Sequence, residues 1–373
     1  MAGVIETAKY WLPTYLKQRP APLPVGIKDV IISVCDHYEP LHHADKAEGI
    51  KRLERWRDEY PRVNSGFRDF NGISPRHTYF YPIEQNDPDL LKLLREIVDS
   101  TRGEVEVHLH HKDDTPRRFQ DRMRKGIDEL REHGFICKDA KGRPRFGFVH
   151  GDWALDNSHP QGKNCGVNHE IKFLRDLGCY ADFTMPSAPD HTQTRTINRI
   201  YYACDSEKPK SHNLGVEARV LSSGPLAEDD CEPRFGDLLM VQGPLALNWR
   251  RRKMGIMPRV ENADITNANP PTAMRMALWT KIHVHVVNRP EWIFIKLHTH
   301  GASPPNSNVF LGDPYKRFHE HLAKEYSADK SWRLHYVTAR EMVNIIHAAE
   351  DGHSGNAGKF RDYRYRLENS PGL

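Results

Sequence analysis

The sequence predicts an α/β protein: a single (β/α)7-8 barrel-like parallel sheet with surrounding helices. Three observations predict it. Strand-length apolar runs alternate with helix-length amphipathic runs over residues 26–350, the alternation has no internal break, and the strand-like runs end in polar residues.

Residues 1–25 read as an N-terminal amphipathic helix, "VIETAKYWLPTYLK", and a Pro-rich joint, "RPAPLPVG"; the helix is expected to pack beneath the barrel. "DVIISVCD" is a β-branched run that delivers Asp36 at its carboxyl end. Ile50, Leu53 and Trp56 recur at helical spacing, and "HTYFYP" reads as a second strand. In "DPDLLKLLREIVDSTRG", Asp87 is a cap, Pro88 sits at the first helical position and Gly103 is the stop. A strand at 104–110, a helix at 115–133, a strand at 145–149, a helix at 167–177 and a strand at 179–184 follow. After a long irregular stretch come a strand at 238–242, a helix at 272–287, a strand at 292–298 and a helix at 315–326, then a strand at 333–337 and a helix at 339–349. Residues 351–373 carry too little apolar surface for a domain and read as a polar C-terminal tail or strap.

Lysine plus arginine (54) nearly balances aspartate plus glutamate (50), which gives no electrostatic footprint for a phosphate backbone, so no nucleic acid is expected. Cys35, Cys137, Cys165, Cys179, Cys204 and Cys231 form no CxxC pair and read as thiols. With no secretory signal and no apolar run of transmembrane length, a cytoplasmic location is expected. Histidine is the outlier, at 22 residues.

In a barrel of this kind chemistry gathers at the carboxyl ends of the strands. There the chain places "CDHYEP", "YPIEQ", "HLHH", "VHGDW", "DFTMPSAPD" and "KLHTH". His108 and His110, two apart on a strand, point to the same side, and with a carboxylate from the first strand they suit a divalent metal, Zn²⁺ first, with Mn²⁺, Fe²⁺ or Co²⁺ as further candidates. His111, at the turn, is a third ligand or a support for one. Aromatic and amide-rich loops suit a sugar, with Trp153 as the stacking residue and His150 and Asp190 as further contacts. "WRRRK", residues 249–253, is a solvated face or a seat for an acidic sugar, a nucleotide or a lipid diphosphate.

An aspartate after the first strand, a histidine pair after the third and "KLH" after the penultimate strand together resemble the polysaccharide deacetylase family, the NodB homology domain, over residues 28 to about 340. The resemblance implies a divalent metal held by an aspartate and two histidines, and hydrolysis of N- or O-acetyl groups on sugars. It also implies a leaving-group acid at His298, with His300 as its partner or as the acid itself. The family has adjacent aspartates in the first motif, a base and then a ligand, where this chain reads "CDH". Either Asp36 is the ligand and Cys35 stands at the base position, or Asp36 is the base and His37 stands at the ligand position; the first is favoured. Lys112 stands where an H-x-x-x-H motif would put its second histidine, so the pair is His108 with His110 or His111. The arginine motif has become "VHGDW", which leaves Asp152, His150 and Glu39 as candidate bases.

The expected function is therefore metal-dependent removal of an acyl group from a sugar or glycan intermediate. The alternatives are a metal-free glycoside hydrolase using two carboxylates such as Glu39 and Asp190, and a non-catalytic carbohydrate-binding protein.

Overall fold

A computed structural model describes residues 2–221 and 236–367; Cys231 and the end of the C-terminal tail lie outside them. Helix α1 (Ala2–Lys17) precedes strand β1 (Lys28–His37), helix α2 (Lys46–Asn64) and strand β2 (Thr78–Pro82). Helix α3 (Pro88–Thr101) starts where the Asp87 carboxylate accepts the Asp89 and Leu90 amides. Strand β3 (Glu104–Leu109) and helix α4 (Pro116–Glu132, capped by Thr115) come next, then the short β4 (Cys137–Lys138), β5 (Pro144–His150), α5 (Glu170–Asp176) and β6 (Cys179–Asp182). The irregular stretch contains β7 (Ile200–Ala203) and β8 (Gly215–Glu217); β9 (Leu238–Val241) returns to the sheet, and β10 (Ala246–Lys253) and β11 (Met257–Glu261) form a separate hairpin. The chain closes with α6 (Ala273–Ile282), β12 (Trp292–Thr299), α7 (Pro304–Phe310), α8 (Asp313–Glu325), β13 (Trp332–Tyr336) and α9 (Ala339–Glu350).

The large sheet is mostly parallel. Its order is β12-β1-β2-β3-β5-β6-β9, parallel throughout, with β7 antiparallel on β9 and β8 antiparallel on β7. Strand β13 pairs with the first half of β1, and β2 with the second half. Among the described residues no ladder joins β9 to β12. Cys35, Cys137, Cys165 and Cys179 are free thiols.

Alternation along the strands sorts side chains onto two faces. Val30, Ile32 and Val34 of β1, Val105, Val107 and Leu109 of β3, and Phe146 and Phe148 of β5 pack with Leu53, Trp56, Leu94 and Phe119 of α2, α3 and α4. Ile31 and Cys35 of β1, Phe80 and Val149 face the other way, into a cluster with Met342, Val343, Ile345 and Ile346 of α9. All of α9 is buried. A final helix was expected among the surrounding ones; instead it lies against the sheet face that carries Ile31, Cys35, Phe80 and Val149, the inner face, with its apolar side in that cluster and its polar side, Arg340, Asn344 and Glu350, buried because each finds hydrogen-bond partners. Arg340 anchors its start through buried contacts of 2.7 and 2.9 Å with Glu104. The segment after α9 straps the amino ends of the strands: the Ala357 amide donates to Asp29, and Tyr365 stacks on Tyr180 at 5.0 Å.

Helix α1 sits elsewhere than expected. Trp11 packs with Ala188, Ile197 and Leu245, on segments that follow the carboxyl ends of β6 and β9, so α1 flanks those ends and does not lie beneath the sheet. Those segments leave apolar side chains uncovered, and α1 covers them.

One buried acid on the inner face makes stability depend on pH. Burial pushes the Glu106 carboxyl up to about 8, against bonds from the Tyr180 hydroxyl and the Gly147 amide. The folded chain therefore holds a proton there that the unfolded chain releases above its ordinary value near 4.3. Stability from this group is fully present at low pH and falls as pH rises to about 8, by up to ~1.4 kcal/mol per pH unit. Glu106→Gln, which mimics the protonated acid, is expected to match wild type at about pH 4, near the unfolded value, and exceed it at pH 8 in urea unfolding; an unchanged pH slope would contradict this.

Candidate metal centre

The two-face rule splits the three histidines of "HLHH". His108 and His110 follow Glu104 and Glu106 onto the inner face, whereas His111 falls on the helix face with Leu109. Two groups of possible ligands result: Glu39 with His108 and His110, and His111 with His150 and Glu170. Both are buried His/Glu groups that could hold a metal ion, with the ligand atoms of each group within 4.8 Å of one another.

In the inner group the Glu39 carboxylate, just past the end of β1, is the hub. Its Oε1 lies 2.9 Å from His110 Nε2 and 3.6 Å from His108 Nε2, and its Oε2 lies 2.9 Å from His300 Nδ1. Burial alone would raise the Glu39 carboxyl, but the three imidazoles outweigh it and hold the group well below the usual carboxylate range. The far nitrogens of the ligand pair are already committed. His108 Nδ1 lies 3.1 Å from the Val149 carbonyl, which can only accept, so Nδ1 carries a proton and turns Nε2 toward Glu39. That Nε2 is buried and has no hydrogen-bond partner. His110 Nδ1 likewise donates to Glu84 Oε1 at 2.6 Å. Burial would lower the His110 imidazole, but bonds to Glu39 and Glu84 push it up to about 10, so without metal it sits as a cation between two carboxylates. An imidazole whose far N–H is fixed by a carbonyl or carboxylate has the orientation a metal ligand needs.

The second group is wired differently. His111 Nε2 lies 2.9 Å from Glu170 Oε1, and Glu170 Oε2 accepts the Asp156 amide at 2.7 Å. The Asp156 carboxylate in turn accepts the amides of Glu170 and Ser211 at 3.3 and 2.8 Å. His150 Nδ1 accepts the Asp152 amide at 3.3 Å, which leaves the ring proton on Nε2, 4.0 Å from Glu170 Oε1. A proton on the nitrogen that faces the group opposes a cation there. The network ties the loop after β5 to α5 and to Ser211.

Asp36 shares the helix face with Val30, Ile32 and Val34, away from His108 and His110. Its carboxylate accepts from His77 Nε2 at 2.8 Å and from the Gly301 amide at 2.6 Å, fully buried beside Trp56. His37, one residue on, is the β1 side chain that reaches the inner group, its ring 5.0 Å from His108 and 4.7 Å from His300. Burial, then the neighbouring histidines, hold it well below its ordinary value, so it is a neutral imidazole.

His298 shares the inner face with Lys296 and is buried; its Nδ1 has no partner, and burial pushes its imidazole well below the usual range. His300 is the more open of the two, with 36% of its side chain accessible. Trp153 stands over the site, its ring 6.3 Å from His37 and 6.1 Å from His300. It holds a left-handed φ of 57°, a conformation a bulky residue seldom adopts and one that concentrates at functional sites. Asp152 is half-buried on the same loop, and no described residue forms an ion pair with it. Asp190 caps a turn, accepting the Thr192 amide and hydroxyl at 2.9 Å. Sequence reasoning did not single out Glu84 as the residue that orients His110, nor His77, Val149 and Glu170; three of these act through strand neighbours distant in sequence.

Gly151 closes the loop after β5 onto His110: a β-carbon there would lie 2.3 Å from His110 Cδ2. Gly151→Ala is expected to turn the His110 ring and weaken divalent-metal binding by about 10- to 100-fold, the usual cost of disturbing a ligand's support. Isothermal titration with Zn²⁺ on both proteins checks this; equal affinities would show that the loop leaves the ring free to adjust.

No family model matches the chain, and no curated protein matches it.

Proposed function

We propose that the chain is a divalent-metal-dependent hydrolase of the polysaccharide-deacetylase type, with Glu39, His108 and His110 as the ligand set, removing an acyl group from a sugar or glycan intermediate. The observation that carries the reading is the convergence of a buried His108 Nε2 that has no hydrogen-bond partner, His110 Nε2 and an ionised Glu39 carboxylate, ligand atoms within 4.8 Å of one another. Histidine and carboxylate donors without cysteine favour Zn²⁺.

The same reading takes the parallel sheet as a barrel. Two contacts across the unpaired edges support it: Lys296 of β12 donates to the Met185 carbonyl beyond β6 at 3.1 Å, and a β-carbon at Gly243, just past β9, would lie 2.6 Å from the Lys296 carbonyl.

When bound, the metal supplies a Lewis acid that polarises an acyl carbonyl and acidifies water. The chain's own residues do the rest. Glu84 and the Val149 carbonyl hold the ligand rings in place. His300, accessible and bonded to Glu39, is placed to carry a proton to the leaving amine or alcohol; His298, buried and neutral, is suited to accepting or passing one behind it. Asp152 is the carboxylate on the loop free to take a proton from water, and Trp153 offers a sugar an aromatic wall.

The test is metal content together with acetate release from N- and O-acetylated oligosaccharides, before and after chelation. About one equivalent of metal is expected, as for a three-ligand catalytic site, with activity lost on chelation and restored by Zn²⁺. Undiminished hydrolysis of glycosidic bonds by metal-free protein would transfer the case to a glycosidase, and sugar binding without turnover to a binding protein.

A further inference from the structure

Among the described residues the β10–β11 hairpin is joined to no other sheet, and it combines two features that soluble surfaces keep apart. Residues 246–260, "ALNWRRRKMGIMPRV", contain five basic side chains and no acidic one. Arg250, Arg251, Arg252, Lys253 and Arg259 make no ion pair with any described residue; Arg251 bonds Asn269, and Arg252 Nε donates to the Trp249 carbonyl at 3.0 Å. At the turn between the strands, Met254 and Ile256 are 77% and 78% exposed, with Met257 and Trp249 also open to solvent. The register slips between Asn248 and Arg252, so Trp249 to Arg251 bulge from the ladder, the Asn248 side chain accepting the Arg250 and Arg251 amides at 3.2 Å. A bulge of this kind re-aims side chains.

The root, by contrast, is fixed. Glu261 at the end of β11 is clamped by buried Arg275 at 2.7 and 2.9 Å, and Leu247 and Val260 pack under Trp11 of α1. Beyond Glu261 the chain runs directly into the wall of the mouth, where His298 donates its amide to Ala263 and its carbonyl accepts the Ile265 amide.

We propose that this hairpin docks the protein on an anionic lipid bilayer. An apolar tip of methionine and isoleucine, a tryptophan on the flank and a collar of unpaired arginine and lysine match, in that order, the acyl boundary, the interfacial belt and the phosphate-rich headgroups of such a surface. The balanced charge of the whole chain, 54 basic against 50 acidic residues, makes the local excess a property of this element and not of the protein's general surface. Docking through the tip holds the mouth of the sheet near the membrane, where a lipid-borne substrate would be met; the docking itself does not depend on the metal centre.

The experiment is sedimentation of the full chain with vesicles of phosphatidylcholine alone and of phosphatidylcholine with about a third phosphatidylserine. Binding to the anionic vesicles only is expected, weakening steeply as salt is raised from ~0.1 to ~1 M, where the screening length falls from about 10 to 3 Å. A triple variant, Arg250→Glu, Arg252→Glu and Lys253→Glu, is expected to lose at least about 100-fold in vesicle affinity. Met254→Ser with Ile256→Ser is expected to weaken binding while keeping its salt dependence. Quenching of tryptophan fluorescence by brominated acyl chains, present in wild type and lost in Trp249→Phe, would place the flank in the bilayer. All these positions are exposed, so circular dichroism should be unchanged. No binding to either vesicle, equal binding by the triple variant, tight binding to an oligonucleotide without vesicle binding, or self-association lost in Ile256→Ser without vesicle binding would each overturn the proposal.

Discussion

Glu39→Gln is expected to fold as wild type does and to lose divalent-metal affinity by about 100-fold or more, beyond the 10- to 100-fold typical of residues that only support a ligand. The substitution keeps the shape of the hub and removes its charge. Three imidazoles converge on that carboxylate at 2.9, 2.9 and 3.6 Å, and in its ionised form it is the only anionic member of the inner ligand group. Acyl hydrolysis should fall with the metal, by at least the 10² to 10⁴ that loss of a proton-transfer partner alone would cause, since Glu39 also holds His300. Metal content and acetate release on the same preparations check both effects. Retention of metal by Glu39→Gln would remove the hub from the site.

Asp36→Ala is expected to act in the opposite sense, keeping the ligand group and undermining the fold. Its carboxylate is fully buried between His77 and the Gly301 amide, and a β-carbon at Gly301 would lie 2.2 Å from Asp36 Oδ2, so the cradle has no slack for water to replace it. Removing it leaves the His77 ring and the Gly301 amide buried without an acceptor, at about 1 to 3 kcal/mol for each such group, a large share of the roughly 5 to 15 kcal/mol that holds a domain together. Asp36→Asn, which can still accept the Gly301 amide, should be milder and folded enough for metal titration. Chemical unfolding and metal content measured on both variants separate the two roles. A stable Asp36→Asn that binds no metal would place Asp36 among the ligands after all.

The contrast between Asp36 and Glu39 marks where the sequence stops being legible. In β3 the alternation of Glu104, Glu106, His108 and His110 with Val105, Val107 and Leu109 is plain, and the pairing of His108 with His110 could be read from it. In β1 it could not. "VIISVC" is buried on both faces, so nothing in the letters tells whether Asp36 or His37 points inward, and a one-residue shift exchanges the faces. Glu39 lies beyond the strand, where position depends on the loop and not on a period.

Most strands and helices of the parallel sheet appear where the apolar periods put them. The last helix was readable as a helix, but its place against the inner face follows from tertiary packing with Ile31, Phe80 and Val149. The β10–β11 hairpin escaped because four consecutive basic residues, Arg250 to Lys253, erase the alternation by which a strand is recognised, and their bulge breaks the register as well.

The most direct measurement is an anomalous difference map at the zinc absorption edge from a crystal of the full chain grown with Zn²⁺. One strong peak is expected, bonded to Glu39, His108 Nε2 and His110 Nε2 at about 2.0 to 2.2 Å, with Asp36 still on His77. A peak at His111, His150 and Glu170, a peak on Asp36, or no peak at the inner group would contradict the assignment.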